Sequence, residues 1–333
     1  MSAHNDVAAI IDSLREIARD RRPSDRLLQT FLGLYYRDIP SDDADGRRLN
    51  AAYAAAVAHL HLGRDRRVGE TLVQVLSPDL ERDGWETERT ILMFVTDDVP
   101  FLVDSVRMVL DRYELGIHLM IHPMLRVERN DRHELVDGDA ADGRVEAWTL
   151  IELDRCPSEL RERLEADVRS AIDDVQSVVR DFAAMQQRLL EVAGDDPLMR
   201  WLSDTNFVFL GSAIYETSSD GLRLDPASLL GQYRSRRLDP ERIDPPPHDG
   251  DEPIVIARTN AVATVHRPAR MTSIAVRVPA SGKEVRFVGL LGSAAYRQSV
   301  FAIPGIGQRA DEVVDAVGAT AESHTGRAVR HVI

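Results

Sequence analysis

The sequence is short of several things, and each shortage excludes a class of function. One cysteine, Cys156, stands among 333 residues, so no intramolecular disulfide can form. That excludes a disulfide-stapled secreted scaffold. Aromatic residues make up 5% of the chain, too few for base-stacking platforms. Positive charge is outweighed: 41 Lys and Arg against 55 Asp and Glu leave a formal net charge of −14. Such a surface repels phosphate backbones, so no nucleic-acid partner is expected. No apolar run approaches the ~18 residues that a membrane span needs. The opening stretch MSAHNDVAAIIDSLRE is acidic early and lacks a signal-peptide pattern. The expectation is a cytoplasmic protein with no membrane partner.

Lysine is nearly absent too. Lys283 is the single lysine among the 41 basic residues. A GC-rich genome accounts for the preference for Arg, but the chemistry is still constrained. A mechanism that needs two lysines, or a buried lysine base, finds almost nothing here. What remains is ordinary globular composition, 44% hydrophobic and 29% charged, in a chain long enough for two or three domains.

The stretch Thr90–Arg129 organises the chain and reads as strand, tight turn, helix, strand. Ile91 to Val95 form a continuous apolar run, as in a strand buried on both faces. Asp97, Asp98 and Pro100 stop it; Asp suits a helix cap and Pro a first helical position. Phe101, Leu102, Ser105, Val106, Val109 and Leu110 recur at helical spacing, and Gly116 closes that helix. Ile117–Val127 is a second strand.

Residues 1–64 read as a helical lead, with faces at Val7, Ile10, Ile11, Leu14 and Ile17, then at Leu27, Leu28, Phe31, Leu32 and Tyr35. Ser41 is a possible cap for a third helix through Leu60. A second segment, 65–195, holds a strand at Thr71–Leu76, the central stretch, and a polar loop from Glu128. Val145–Leu153 is then the hairpin partner of Ile117–Val127, and a long helix opens at Pro157 and Ser158. Its stripe, including Leu164, Val168, Ile172, Val175 and Val179, outruns the ~11–12 residues of an average helix. It packs either on its own domain's sheet or along another subunit. Ala193–Pro197 breaks the chain. The third segment, 196–333, carries short strands at Phe207–Tyr215, Ile254–Ala257, Ala261–Val265, Ser273–Val278 and Glu284–Leu291. A hairpin turn is expected at Ser281-Gly282, a mobile acidic loop at Asp239–Pro253 and a helix at Ile306–Val317. Residues 328–333 read as the start of a strand, so the chain is expected to continue into a larger protein.

No residue set has the pattern of a catalytic centre or a metal site. Asp97 and Asp98 read as capping carboxylates, because adjacent residues rarely aim at one point. With Pro100 and Phe101 they form a turn that is either structural or effector-binding. His118 and His122 would lie ~13 Å apart along a strand, too far to share an ion. Gly305-Ile-Gly307-Gln-Arg-Ala310 fits the dinucleotide fingerprint, but the run before it is short and ends at Pro304. His266, Arg267 and Arg270 are candidate anion contacts, or a salt-bridged turn in an acidic chain.

Strand–helix–strand over Thr90–Glu128, then Val145–Leu153 and the Pro157 helix, resembles the βαββαβ order of an ACT domain. TDDVPFLVDSV with IHLMIHPMLRV, NFVFLG from Asn206, RTNAVATVHRP and VRFVGLLGSAAY are similar to the N-terminal region of large bacterial NAD-specific glutamate dehydrogenases. The resemblance implies an α+β chain: a helical lead, an ACT-like domain with a long helix, then a PAS-like antiparallel sheet domain. It implies a regulatory and assembly-forming region, with the NAD-binding catalytic domain downstream and no cofactor in this chain. The partners implied are those downstream domains, further copies in a homo-oligomer, and an amino-acid effector. One departure is that Phe101, not Gly, follows Pro100, where a ligand would approach the backbone; no fourth strand is evident after the long helix. The alternative is a stand-alone amino-acid sensor binding its effector through Asp97–Phe101.

Overall fold

The computed structural model describes residues 3–39, 49–219, 221–235, 238–243, 253–299 and 302–307. The Ser41 cap, most of the Asp239–Pro253 loop, the end of the Gly305–Ala310 motif, most of the Ile306–Val317 helix and residues 328–333 lie outside them. The chain divides into two compact units, residues 1–176 and 177–333. Among the described residues no helix is long and apolar enough to cross a membrane.

The first unit opens with helices α1 (Ala3–Arg21), α2 (Arg26–Tyr35) and α3 (Leu49–Leu62). The second helix starts later than Pro23 and Ser24 suggest, because the Asp25 carboxylate caps it, accepting from Leu28 N at 3.0 Å. Strands β1 (Leu72–Leu76), β2 (Thr90–Asp97), β3 (Ile117–Ile121), β4 (Met124–Arg129), β5 (Leu135–Asp137) and β6 (Arg144–Leu153) form one sheet. Helix α4 (Leu102–Arg112) links β2 to β3, and α5 (Ser158–Ala193) follows β6. The sheet runs β1-β2-β6-β4-β5, with β3 also on β6. β3 and β4 are one expected strand, broken where Pro123 has no N–H to give; Pro123 O instead accepts from Trp148 N at 3.0 Å. The polar loop after Glu128 contains one element the sequence hides, β5, anchored by buried Leu135.

The apolar run in β2 is buried because both faces of the sheet are covered. Ile91, Met93 and Val95 point into a core with α1, α2, α3, Trp148 and Leu150. Leu92 and Phe94 point into a second core with Val106 and Leu110 of α4 and Leu164, Val168 and Ile172 of α5. In the first core, buried His59 lies between Tyr35 Oη (2.7 Å from Nδ1) and Phe94 O (3.1 Å from Nε2). A carbonyl can only accept, so Nε2 carries the proton and Nδ1 accepts from Tyr35. Burial drives the His59 pKa down to about 3.

The missing fourth strand of the βαββαβ pattern is supplied from ahead of the unit. β1 pairs antiparallel with β2, Leu72 opposite Val95 through Leu76 opposite Ile91. Its outer backbone is not left bare. From α5, Arg169 donates to Thr71 O (2.7 Å) and Val73 O (3.1 Å), while Glu165 accepts from Val75 N (3.1 Å). A sheet edge that would template pairing with another chain is thus occupied by side chains.

Helix α5 is 36 residues long and serves both units. Residues up to 176 belong to the first, and from 177 to the second. Its stripe is therefore buried in this chain's own cores: Val168 and Ile172 in the first unit, Met185 and Leu189 in the second. Asp196 then caps a short helix, α6 (Pro197–Trp201). Strands β7 (Phe207–Ser218), β8 (Gly221–Gly231), β9 (Ile254–Val262), β10 (Arg270–Val278) and β11 (Lys283–Leu291) form an antiparallel sheet in the order β8-β7-β11-β10-β9. The expected breaks at Ala257 and Ala261 merge into β9, and the Ser281-Gly282 turn joins β10 to β11 with Gly282 at φ 64°.

Candidate functional site

The turn between β2 and α4 is where the sequence concentrates its unusual residues. Asp97 ends β2, Asp98 is exposed, and Leu102 begins the helix. Neither aspartate caps it. The N-cap residue is Phe101, with no side-chain cap bond, at φ 68° and ψ 5°. An L residue in this left-handed conformation is strained by ~1 kcal/mol or more. The backbone does supply helix contacts: Phe101 O accepts from Ser105 N (3.0 Å) and Ser105 Oγ (2.7 Å). So the position that favours glycine is present, and this chain fills it with phenylalanine.

Asp97 has another task. It faces Glu146 directly across the β2–β6 pair, a like-charge placement that would be unfavourable alone. Arg66, fully buried, lies between them. Its Nη2 donates to Asp97 Oδ1 at 2.7 Å, its Nη1 to Glu146 Oε1 at 2.7 Å, and its Nε to Glu70 O at 2.8 Å. Glu146 is held from the other side by Arg129, whose Nε and Nη2 each reach it at 2.8 Å. Arg129 also donates to Gly63 O, Arg64 O and His133 O. Two guanidinium groups and two carboxylates thus neutralise one another beneath the turn. Arg66, Arg129 and Glu146 escape a sequence reading because they are far apart in the chain.

Beside the turn lies a cavity of about 190 Å3, lined by Val99, Phe101, Leu102, Val103, Asp104 and His122. His122 Nδ1 is 2.6 Å from Thr149 Oγ1. Burial pushes its pKa below the ordinary histidine value, and the Asp98 charge opposes the shift. His118 has separate partners: its Nε2 is 2.6 Å from Asp154 Oδ1 and 2.8 Å from Arg89 Nη1. Asp154 is held below the usual carboxylate range, chiefly by His118 and then by Gly116 N. Among the described residues no group of three or more His, Cys, Asp or Glu is placed to hold a metal ion. The cavity offers one carboxylate, Asp104, and no cation.

In the second unit, His266 sits at positive φ (73°) in the turn before β10. Arg267 is tied to the end of β11: its Nη2 donates to Leu291 O at 2.6 Å, and the guanidinium stacks 5.0 Å from the Tyr296 ring centre. Arg270 is exposed at the first position of β10, its carbonyl 3.4 Å from Arg258 Nη1. The structure therefore gives Arg267 a backbone and ring partner, and leaves Arg270 at the strand entrance. Gly305 lies in a turn at φ 73°, and Gly307 N donates to Ile303 O at 2.8 Å in the helical turn that follows.

Residues 31–168 match the family described as glutamate dehydrogenase, ACT1 domain. Over 97% of its length the chain is 28% identical to an NAD-specific glutamate dehydrogenase of Halomonas elongata, covering 23% of that protein. It is 29% identical to the Pseudomonas aeruginosa protein of that name over 91% of the chain, covering 21% of the relative. For the Mycobacterium tuberculosis protein of that name the figures are 30% identity, 83% of the chain and 18% of the relative. The chain thus spans about a fifth of the length of the curated relatives it matches.

Proposed function

We propose, from the homology of this chain to the N-terminal part of large NAD-specific glutamate dehydrogenases and from its ACT1 domain, that it is a regulatory and assembly region of such an enzyme. The match over residues 31–168 is the observation that carries this reading. Oxidative deamination of L-glutamate to 2-oxoglutarate, and the binding of NAD, then belong to sequence outside these residues. The chain's partners are further domains of the same enzyme and further copies in a cytoplasmic homo-oligomer. The second unit reads as PAS-like on its strand order. Counted within the unit, the order is second, first, fifth, fourth, third, which is that of a PAS sheet.

Within this reading the regulatory role lies in docking more than in capture of an amino acid at the Asp97–Phe101 turn. Asp97 is committed to Arg66, and the cavity beside the turn has no cation for an α-carboxylate. The test is an assay of the 333-residue chain with L-glutamate and NAD. No NADH is expected from the chain, while the parent enzyme that contains it turns over. Turnover by the chain that a substitution within it removes would overturn the proposal. A thermal-shift screen of the amino acids separates the stand-alone sensor, which predicts a saturable rise in melting temperature that Asp104→Asn abolishes.

A further inference from the structure

We infer that the cavity between the β1–β2 connection and the start of α5 binds a phosphate-type oxyanion carrying two or more charges. This cavity, of about 480 Å3, is lined by Ser77, Asp79, Arg82, Arg155, Cys156, Pro157, Ser158 and Arg161. Three arginines among eight lining residues stand out in a chain of net charge −14. It is separate from the Asp97–Phe101 turn and independent of the parentage of the chain.

The arginines are only partly committed. Arg82 places Nε and Nη2 on Asp83, and Nη2 also reaches Ser77 O at 3.0 Å. Its Nη1 has no partner among the described residues. Arg155 uses Nη1 on Thr87 O at 2.7 Å, which leaves two of its nitrogens. Arg161 is half-buried and makes no hydrogen bond and no ion pair among the described residues, though its charge helps hold the Asp83 and Glu159 carboxyls below their usual range. Planar guanidinium forks match the oxygens of a phosphate two at a time, the arrangement in which such bonds are strongest. The lone carboxylate in the wall, Asp79, is engaged elsewhere: its Oδ1 accepts from Glu81 N (3.0 Å) and Arg82 N (3.3 Å).

Two neighbouring groups define what the site is not. The start of α5 already has its own anion, because Glu159 accepts from its backbone and from Ser158 and is held below the usual carboxylate range. The arginines, not the helix end, therefore supply the attraction. The Cys156 thiol is pushed up by burial, against the pull of Arg161. It stays a neutral thiol that neither competes with an anion nor acts as a nucleophile.

The probe is inorganic pyrophosphate, titrated calorimetrically into the 333-residue chain with ionic strength held constant by sodium chloride. One saturable site is expected. Arg161→Gln, which removes no hydrogen bond or ion pair among the described residues, weakens it about tenfold or more. Arg155→Gln with Arg161→Gln removes saturation. Arg132→Gln, an exposed arginine outside the cavity, leaves binding unchanged. Far-UV circular dichroism of each variant overlays that of the wild type. Absence of saturable heat with the wild type overturns the inference, as does saturable binding that Arg161→Gln leaves within about twofold. Because Arg161 makes no hydrogen bond or ion pair among the described residues, that single variant decides the question even where the double variant fails to fold.

Discussion

Replacing Arg66 by Met tests whether the charge cluster, and not a helix cap, is what Asp97 serves. Met retains roughly the length and volume of the Arg stem, so the change removes charge and donors more than packing. Arg66 is fully buried and donates to Asp97, Glu146 and Glu70 O. After the substitution Glu146 keeps its two bonds to Arg129. Asp97 is left opposite Glu146 with no cation between them, and its side chain is only 27% exposed. Breaking a buried pair by removing one partner costs ~3–5 kcal/mol. The retained Arg129 contacts and the partial exposure of Asp97 place this case near ~3 kcal/mol. For a unit of this size that lowers the melting temperature by roughly 6–12 °C. Urea unfolding followed by circular dichroism reads the change as a shifted midpoint at constant slope. Asp97→Asn in the same molecule removes the stranded carboxylate and leaves the neutral Glu146–Arg129 pair, so the double variant should recover at least ~1 kcal/mol. If Arg66→Met stays within ~0.5 kcal/mol of wild type, or Asp97→Asn does not relieve its cost, the cluster is not what holds this end of the sheet.

Three further outcomes are expected. Asp98→Ala should leave stability within ~0.5 kcal/mol, because Asp98 is exposed and gives α4 no cap bond; a loss near ~1 kcal/mol in a urea melt would show a capping role. Glu165→Ala with Arg169→Ala should uncover Thr71 O, Val73 O and Val75 N on β1 and shift light-scattering mass upward with concentration; an unchanged mass would mean that the edge is protected by something else. His59 has a folded pKa of about 3, below its ordinary 6.5, so the unfolded state binds the extra proton between those values. Its contribution is complete above about pH 6.5 and is lost as pH falls toward 3, on the order of 5 kcal/mol. His59→Gln should flatten that part of the stability profile, and an unaltered slope would assign it to other groups.

Periodicity made the helices and the interior strands legible, because burial imposes it. Leu28, Phe31, Leu32 and Tyr35, or Val106, Val109 and Leu110, line up in the sequence as they do in the cores. β8 has no counterpart among the expected strands, and Asp225 and Pro226 interrupt its apolar pattern. It lies at the edge of its sheet, where a proline costs no ladder bond and the register with β7 already shifts. Arg66 and Glu146 were invisible for the opposite reason. Charged residues are mostly at surfaces, and only the fold brings together residues 80 apart in the chain. The Asp97–Phe101 turn was located correctly by its composition but not in its mechanics. Asp before a helix usually caps, yet here the competing ion pair with Arg66 takes Asp97, and Phe101 adopts a backbone conformation that its residue type does not advertise.

The early placement of β1 also explains why the long helix is long. In a βαββαβ unit the second helix must stop and turn so that a fourth strand can lie beside the first. Here β1 already holds that place, antiparallel to β2. Nothing forces α5 to end where the first sheet ends, and its sequence contains no glycine or proline until Gly194. The helix accordingly runs past Gln176 and contributes Met185 and Leu189 to the core of the second unit. Its own side chains then finish what the early strand leaves open, with Glu165 and Arg169 on the outer backbone of β1. Strand order, helix length and edge protection are therefore one arrangement: a strand taken from before the unit frees the helix after it to build the next.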